Sequence, residues 1–283
     1  MSFGYQVLGF GGSGTTAVSG NQNGIFGYGD ASGVTAITNL VSSAGVVATD
    51  TSGVGTARGG LGACEYGGDK GIFSFGWSSY STNLVSNAGV VATDVTQVGT
   101  ARYGIAACDY GEDKGIFAFG RTPGVNYDES NLVTNVGVVG TDVTGVGTDR
   151  NEIAAAEYGG DKGIFGYGTT HGPKVSMTNL VSNAGVVATD TTGVGTAREG
   201  LGACRYGTET AIFAYGSTGS NSSLSNLVSS VGVVATDTAG VGTARYSISA
   251  CEYGADKGIF GFGAPTFSMT NLVSNTGVIG TDV

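Results

Sequence analysis

The chain has 283 residues, a formal net charge of -10, 54 glycines and only 3 prolines. A pI near 4.4 without any Lys/Arg cluster excludes a phosphate-backbone ligand, because nucleic-acid binding draws on a basic face to release counterions. Residues 1–20 lack the basic start and apolar core of a signal peptide. The uncharged stretch 71–93 is too rich in Ser, Thr, Asn and Gly for a membrane span, so membrane insertion is not expected.

In chain order, residues 6–11 fall in register with 97–102 through a shared Gln-Val pair and are expected to help seal the last repeat, making the termini neighbours. The phrase Gly/Ala-Ile-Phe, closing on Gly-Tyr/Phe-Gly or its variants, then recurs with its Ile at Ile25, Ile72, Ile116, Ile164, Ile212 and Ile259. The period of about 47 residues covers nearly the whole chain. A fixed period in this range signals a solenoid, propeller or array, and glycines that recur in register are turn and close-packing residues rather than a disordered tract.

The copy at 99–143 shows the unit. Ile105-Ala106-Ala107-Cys108-Asp109-Tyr110 is a short apolar run ended by Gly111-Glu112-Asp113, a turn signal. Lys114-Gly115-Ile116-Phe117-Ala118-Phe119-Gly120 is aromatic and β-branched, hence a second strand. After the irregular stretch 121–130, Asn131-Leu132-Val133-Thr134 reads as a third strand. Val138-Val139-Gly140-Thr141-Asp142 begins a fourth, and no segment offers a helical period. The expected fold is all-β: one domain over 1–283, a six-bladed β-propeller with four antiparallel strands per blade. Small residues on the first strand place it near the axis, where blades crowd together.

The layout resembles the kelch family, including the propeller domain of galactose oxidase. An Arg precedes the first strand (Arg58, Arg102, Arg150, Arg198, Arg245), Tyr-Gly ends it, and Ile-Phe-x-Tyr/Phe-Gly stands where kelch repeats carry an apolar run and paired glycines. The fourth strand departs from that pattern, with Val-Val-Ala-Thr-Asp in place of the kelch Trp. The phrases around 178–198 and 158–168 also resemble repeat proteins of marine bacteriophages described as tail-fibre-like. That resemblance implies a virion location and a host-contact role, and brings no catalytic residues.

Charges recur with the repeat. Asp50, Asp94, Asp142, Asp190, Asp237 and Asp282 stand at the fourth strand, and Glu65, Asp109, Glu157 and Glu252 precede Tyr-Gly, where the fifth of the six repeats has Arg205. A ring of carboxylates holding a cation is one reading. The favoured one makes Arg and acid structural pairs, because a charge present in every unit solves a problem every unit has. Cys64, Cys108, Cys204 and Cys251 share one repeat position, filled by Ala156 in the remaining full copy, and read as small buried hydrophobes without disulfides. No metal site or cofactor is expected.

Function is expected in the unequal loops 30–38, 77–82, 121–130, 169–178, 217–225 and 264–270, together with the positions after each Arg, which open on one face of an otherwise copied scaffold. There Trp77, Tyr80, Tyr103, Tyr127, Tyr246 and Phe267 offer aromatic platforms, and Arg121, Asp128, His171 and Glu199 offer polar contacts, a combination that suits sugars and also proteins. The expectation is a non-enzymatic recognition propeller that binds a host-surface glycan or protein. The alternatives are a structural spacer without ligand and a carbohydrate-active enzyme; with a single histidine, His171, a copper oxidase or a Ser/His/Asp triad is poorly provided for.

Overall fold

The computed structural model describes residues 6–9 by their backbone and residues 22–30, 32–77 and 80–283 in full, and every regular element among them is a β-strand. The strands form small antiparallel sheets in chain order. The first sheet holds β1 (Gln6–Gly9), β2 (Gly24–Asp30) and β3 (Val34–Val41), and the second holds β4 (Gly62–Tyr66), β5 (Lys70–Phe75), β6 (Ser81–Val85) and β7 (Val95–Thr96). The third contains β8 (Ala106–Tyr110) and β9 (Lys114–Ala118) with β12 (Ser130–Val133). Between β9 and β12 the loop folds into its own small hairpin, β10 (Arg121–Thr122) and β11 (Val125–Asn126). The fourth is β13 (Ala154–Tyr158), β14 (Lys162–Gly166) and β15 (Thr178–Val181), and the fifth is β16 (Gly202–Tyr206), β17 (Thr210–Ala214) and β18 (Ser225–Val228). The sixth is β19 (Ser249–Tyr253), β20 (Lys257–Gly261) and β21 (Thr270–Val273).

The regular part of each unit is three strands, and the expected fourth is reduced to a bulged segment. It meets the third strand at Val133–Val139 and again at Ser130–Val143, so one extra residue lies on the outer side. Only the second sheet retains a formal fourth strand, the two residues of β7. An asparagine bonds across this bulge: Asn131 Nδ2 donates to Gly140 O at 3.0 Å and to Asp142 Oδ1 at 2.9 Å. Asn39, Asn83, Asn179, Asn226 and Asn271 do the same in the other sheets.

Each sheet lays its second-strand aromatics against the next sheet. Six apolar clusters result among the described residues, each shared by two consecutive sheets, and one joins Phe26 and Val41 of the first sheet to Cys251, Tyr253 and Ile259 of the sixth. Gly254 N donates to Gln22 O at 2.8 Å, repeating between the sixth and first sheets the bond from Gly67 N to Asp113 O between the second and third. Small residues permit this approach: a Cβ on Gly115 would stand 2.3 Å from Cys64 Sγ. The four cysteines are free and buried, as expected of small packing residues.

The N-terminal strand departs from expectation. β1 pairs with β2 in the register Leu8–Ile25, as Cys108 of β8 pairs with Ile116 of β9, so β1 is the innermost strand of the first sheet and not an addition to the last. It neighbours both β4 and β19. Residues 6–9 therefore match the inner-strand position and not 97–102.

The repeated arginines are the struts between sheets. Arg102 is fully buried; its Nε donates to Phe119 O at 2.7 Å, and its Nη2 to Asn131 Oδ1 at 2.7 Å and Glu129 O at 3.2 Å. Its guanidinium lies 4.8 Å from the ring centroid of Phe75 in the preceding sheet. Arg58, Arg150, Arg198 and Arg245 stack likewise on Tyr28, Phe119, Tyr167 and Tyr215. Each aromatic in this series adopts a left-handed backbone, as Phe119 does at φ 64°, which turns its ring toward the next sheet. That conformation costs about 1–2 kcal/mol for a non-glycine residue, and the arginine contacts offset it. The Asp of the fourth segment closes the unit: Asp142 accepts from Thr100 N at 2.9 Å and Thr100 Oγ1 at 2.7 Å and lies 3.4 Å from Arg102 Nη1. Burial pushes the Asp142 carboxyl up, but the donors Thr100, Asn131 and Arg102 hold it below the usual carboxylate range.

Candidate functional site

The lead-in residues before each inner strand converge at one end of the sheets. Gly104 N donates to Gly60 O at 2.8 Å, Glu152 N to Gly104 O at 3.0 Å, and Gly200 N to Glu152 O at 2.9 Å, so successive units are stitched head to tail around a mouth. Each of these residues has a left-handed backbone, which glycine adopts freely and Glu152 (φ 53°) and Ser247 (φ 49°) do not. Beneath lies about 410 Å³ of empty space, open to solvent, lined by Gly60, Gly104, Glu152, Gly200, Ser247 and the residues that lead into the inner strands.

Half of the residues expected in the site meet here. Backbone bridges join Gly59 to Trp77, Tyr103 to Arg121, Glu199 to Ser217 and Tyr246 to Ala264, so the position after each arginine faces the first residue of its variable loop. A Cβ added to Gly60 would lie 3.1 Å from Trp77 Cδ1 and 3.3 Å from Tyr103 Cβ, which places both aromatic residues over one glycine. The Arg121 guanidinium stands 5.1 Å from the Tyr103 ring centroid. Further round, Lys174 Nζ lies 2.9 Å from Glu199 Oε1, and Tyr246 packs beside Gly200. Trp77, Tyr103, Arg121, Glu199 and Tyr246 are all partly exposed.

The remaining candidates lie apart from this mouth. Tyr127 is tied into its own loop, its hydroxyl 3.1 Å from Thr122 Oγ1. Asp128 sits against Gly145 of the bulged segment, and burial pushes its carboxyl up. His171 is exposed beside Asp149 at 3.3 Å. Tyr80 is exposed, and Phe267 is half-buried in a turn whose N–H bonds Gly263 O.

Glu152 and Lys174 are the residues that sequence reasoning did not single out. Burial, and next the Glu199 carboxylate, push the Glu152 carboxyl up, while Arg121 and Lys174 pull it back. A signal for Glu152 exists in the repeat: it stands where Gly60, Gly104 and Gly200 supply the left-handed turn, and a strained non-glycine residue marks a position selected for its side chain. Lys174 has no such mark: in the loop of equal length, 121–130, its place is taken by Asn126.

The opposite end of the inner strands carries the repeated acids. Glu65, Asp109, Glu157 and Glu252 line about 390 Å³ of empty space with the alanines and cysteines of β4, β8, β13, β16 and β19. Arg205 enters the ring between two of them, with Nη2 2.9 Å from Glu252 Oε2 and Nη1 3.4 Å from Glu157 Oε2. Burial pushes Asp109 up to about 7 and Glu157 up to about 8, the latter against the pull of Arg205. The repeated charges thus divide: the fourth-segment Asp residues are structural partners, as expected, whereas the inner acids share a single arginine. No three His, Cys, Asp or Glu side chains among the described residues converge as a metal shell does.

No protein-family model and no curated protein matches the chain. The functional reading therefore rests on the geometry of the two ends.

Proposed function

We propose that the chain is a six-bladed β-propeller whose variable-loop mouth binds a glycan. Three features support the propeller: the sheets follow one another in chain order, each interface has its own apolar cluster, and the sixth sheet meets the first through the same backbone bond as other pairs. The observation that carries the glycan is the grouping of Trp77 and Tyr103 over Gly60 with Arg121, Glu152, Glu199 and Lys174 around the same mouth. Sugars present an apolar C–H face that stacks on aromatic rings and a rim of hydroxyls that carboxylates and cationic donors bind. On the resemblance to phage repeat proteins, the glycan belongs to a host surface and the protein to a virion.

The test is a glycan array probed with the wild type and with Trp77→Ala, folding of the variant being checked by circular dichroism. Binding to a defined set of sugars that is lost in the variant supports the reading. Equal binding by both proteins, or none by either, contradicts it.

A further inference from the structure

We propose that the axial cavity at the end opposite the variable loops is a receptor for one small organic cation, an ammonium or guanidinium group held by Glu65 and Asp109. The ring around this cavity follows from strand register. Gly9 pairs with Gly24 as Glu65 pairs with Gly71, Asp109 with Gly115, Glu157 with Gly163, Arg205 with Ala211 and Glu252 with Gly258. Since β1 neighbours both β19 and β4, the order round the axis is Gly9, Glu65, Asp109, Glu157, Arg205, Glu252. Four carboxylates thus face one guanidinium.

The molecule itself shows what this ring accepts. Arg205 sits between Glu157 and Glu252 and donates to the latter from Nε at 3.1 Å. The one other ring position without an acid is Gly9, which also lies between two glutamates, Glu252 and Glu65, and brings no side chain. Glu65 is only 5% exposed, lines the cavity, and neither of its carboxyl oxygens has a hydrogen-bond partner. Its neighbour Asp109 uses one oxygen to accept the Glu65 N–H at 2.6 Å, leaving the other for a ligand. A buried polar group without a partner costs about 1–3 kcal/mol, which a donor in the cavity would recover.

The ligand class follows from the spread of the acids. A metal ion needs several oxygens at one short distance, whereas a planar guanidinium or a three-proton ammonium distributes its donors over separated acceptors. Without a ligand, burial favours the protonated forms of Glu65, Asp109 and Glu157. Binding therefore displaces protons and weakens on acidification.

The experiment is a thermal-shift and calorimetric titration of the full chain with methylguanidinium chloride, using tetramethylammonium chloride at equal ionic strength as a cation without N–H donors. Saturable stabilisation by methylguanidinium alone is expected, with affinity falling up to about tenfold per pH unit below about pH 7 for each proton displaced. Glu65→Gln, isosteric and uncharged, should keep the fold and lose at least tenfold in affinity. Arg205→Gly supplies the control for access: methylguanidinium should restore part of its lost stability. Rescue of Arg205→Gly without any response of the wild type overturns the proposal, as does an equal response to both cations, an unaltered affinity in Glu65→Gln, or stabilisation by calcium in place of methylguanidinium.

Discussion

Replacing Arg102 by Met isolates the strut that joins successive sheets. Met preserves much of the buried volume but removes every donor, leaving Phe119 O, Glu129 O and Asn131 Oδ1 without the bonds that Arg102 supplies at 2.7–3.2 Å. The contact over Phe75 is lost as well. Hydrogen bonds to a charged group contribute about 1.5–3 kcal/mol each, though not additively, and removing one partner of a buried charged network costs about 3–5 kcal/mol, so about 4 kcal/mol is expected. For a chain of 283 residues, unfolding entropy near the midpoint is about 0.6 kcal/mol per kelvin, which converts that loss into a Tm lowered by about 7 °C if the sheets unfold as one unit. Arg102→Lys keeps the charge but not the planar fork and should fall between. Calorimetry of the three proteins reads this directly. A Met variant within about 1 kcal/mol of wild type, the scatter of an ordinary substitution, would refute the strut argument.

The fold's pH dependence has two opposed parts. Asp94, Asp142, Asp190 and Asp237 have folded pKa values held low by Thr and Asn donors that outweigh burial, so their contribution is complete above the ordinary carboxylate range and is lost as pH falls through the depressed values. Glu65, Asp109 and Glu157 have raised values, with Asp109 about 7 and Glu157 about 8; the folded chain holds protons that the unfolded chain releases. Stability should therefore decline by a few kcal/mol as pH rises from about 4 to about 8, and a Tm profile flat across that window would contradict it. Glu65→Gln should raise Tm at about pH 9 by an amount equivalent to about 1–3 kcal/mol and change little at about pH 5; the same scans decide. Glu152→Gly should gain about 1 kcal/mol by relieving a left-handed glutamate, while weakening glycan binding, and urea unfolding together with the array measures both.

The repeat, the strand-turn punctuation and the inward Cys/Ala/Gly strand were legible because each is written several times. Side-chain bonds across the bulge were not: nothing in Asn-Leu-Val marks Asn131 as the residue that ties the fourth segment to the third strand. The inner strand of the first unit was misplaced for a similar reason. It has Leu8 where other units carry Cys or Ala and Gly9 where they carry an acid or Arg205, so its signature is gone and a chance Gln-Val match sets a false register. Of the variable-loop candidates, those in or beside a bridge to the residue after an arginine converge, because the bridge holds the two segments together. His171 and Tyr80 lie farther along their loops, outside those bridges.

Trp77 is the single tryptophan of the chain and stands in the proposed mouth, so its fluorescence reports that place alone. Titrating the protein with a sugar identified on the array should shift or quench this emission saturably, with a midpoint equal to the calorimetric Kd. A bound sugar that leaves Trp77 emission unchanged would contradict recognition at the variable-loop mouth.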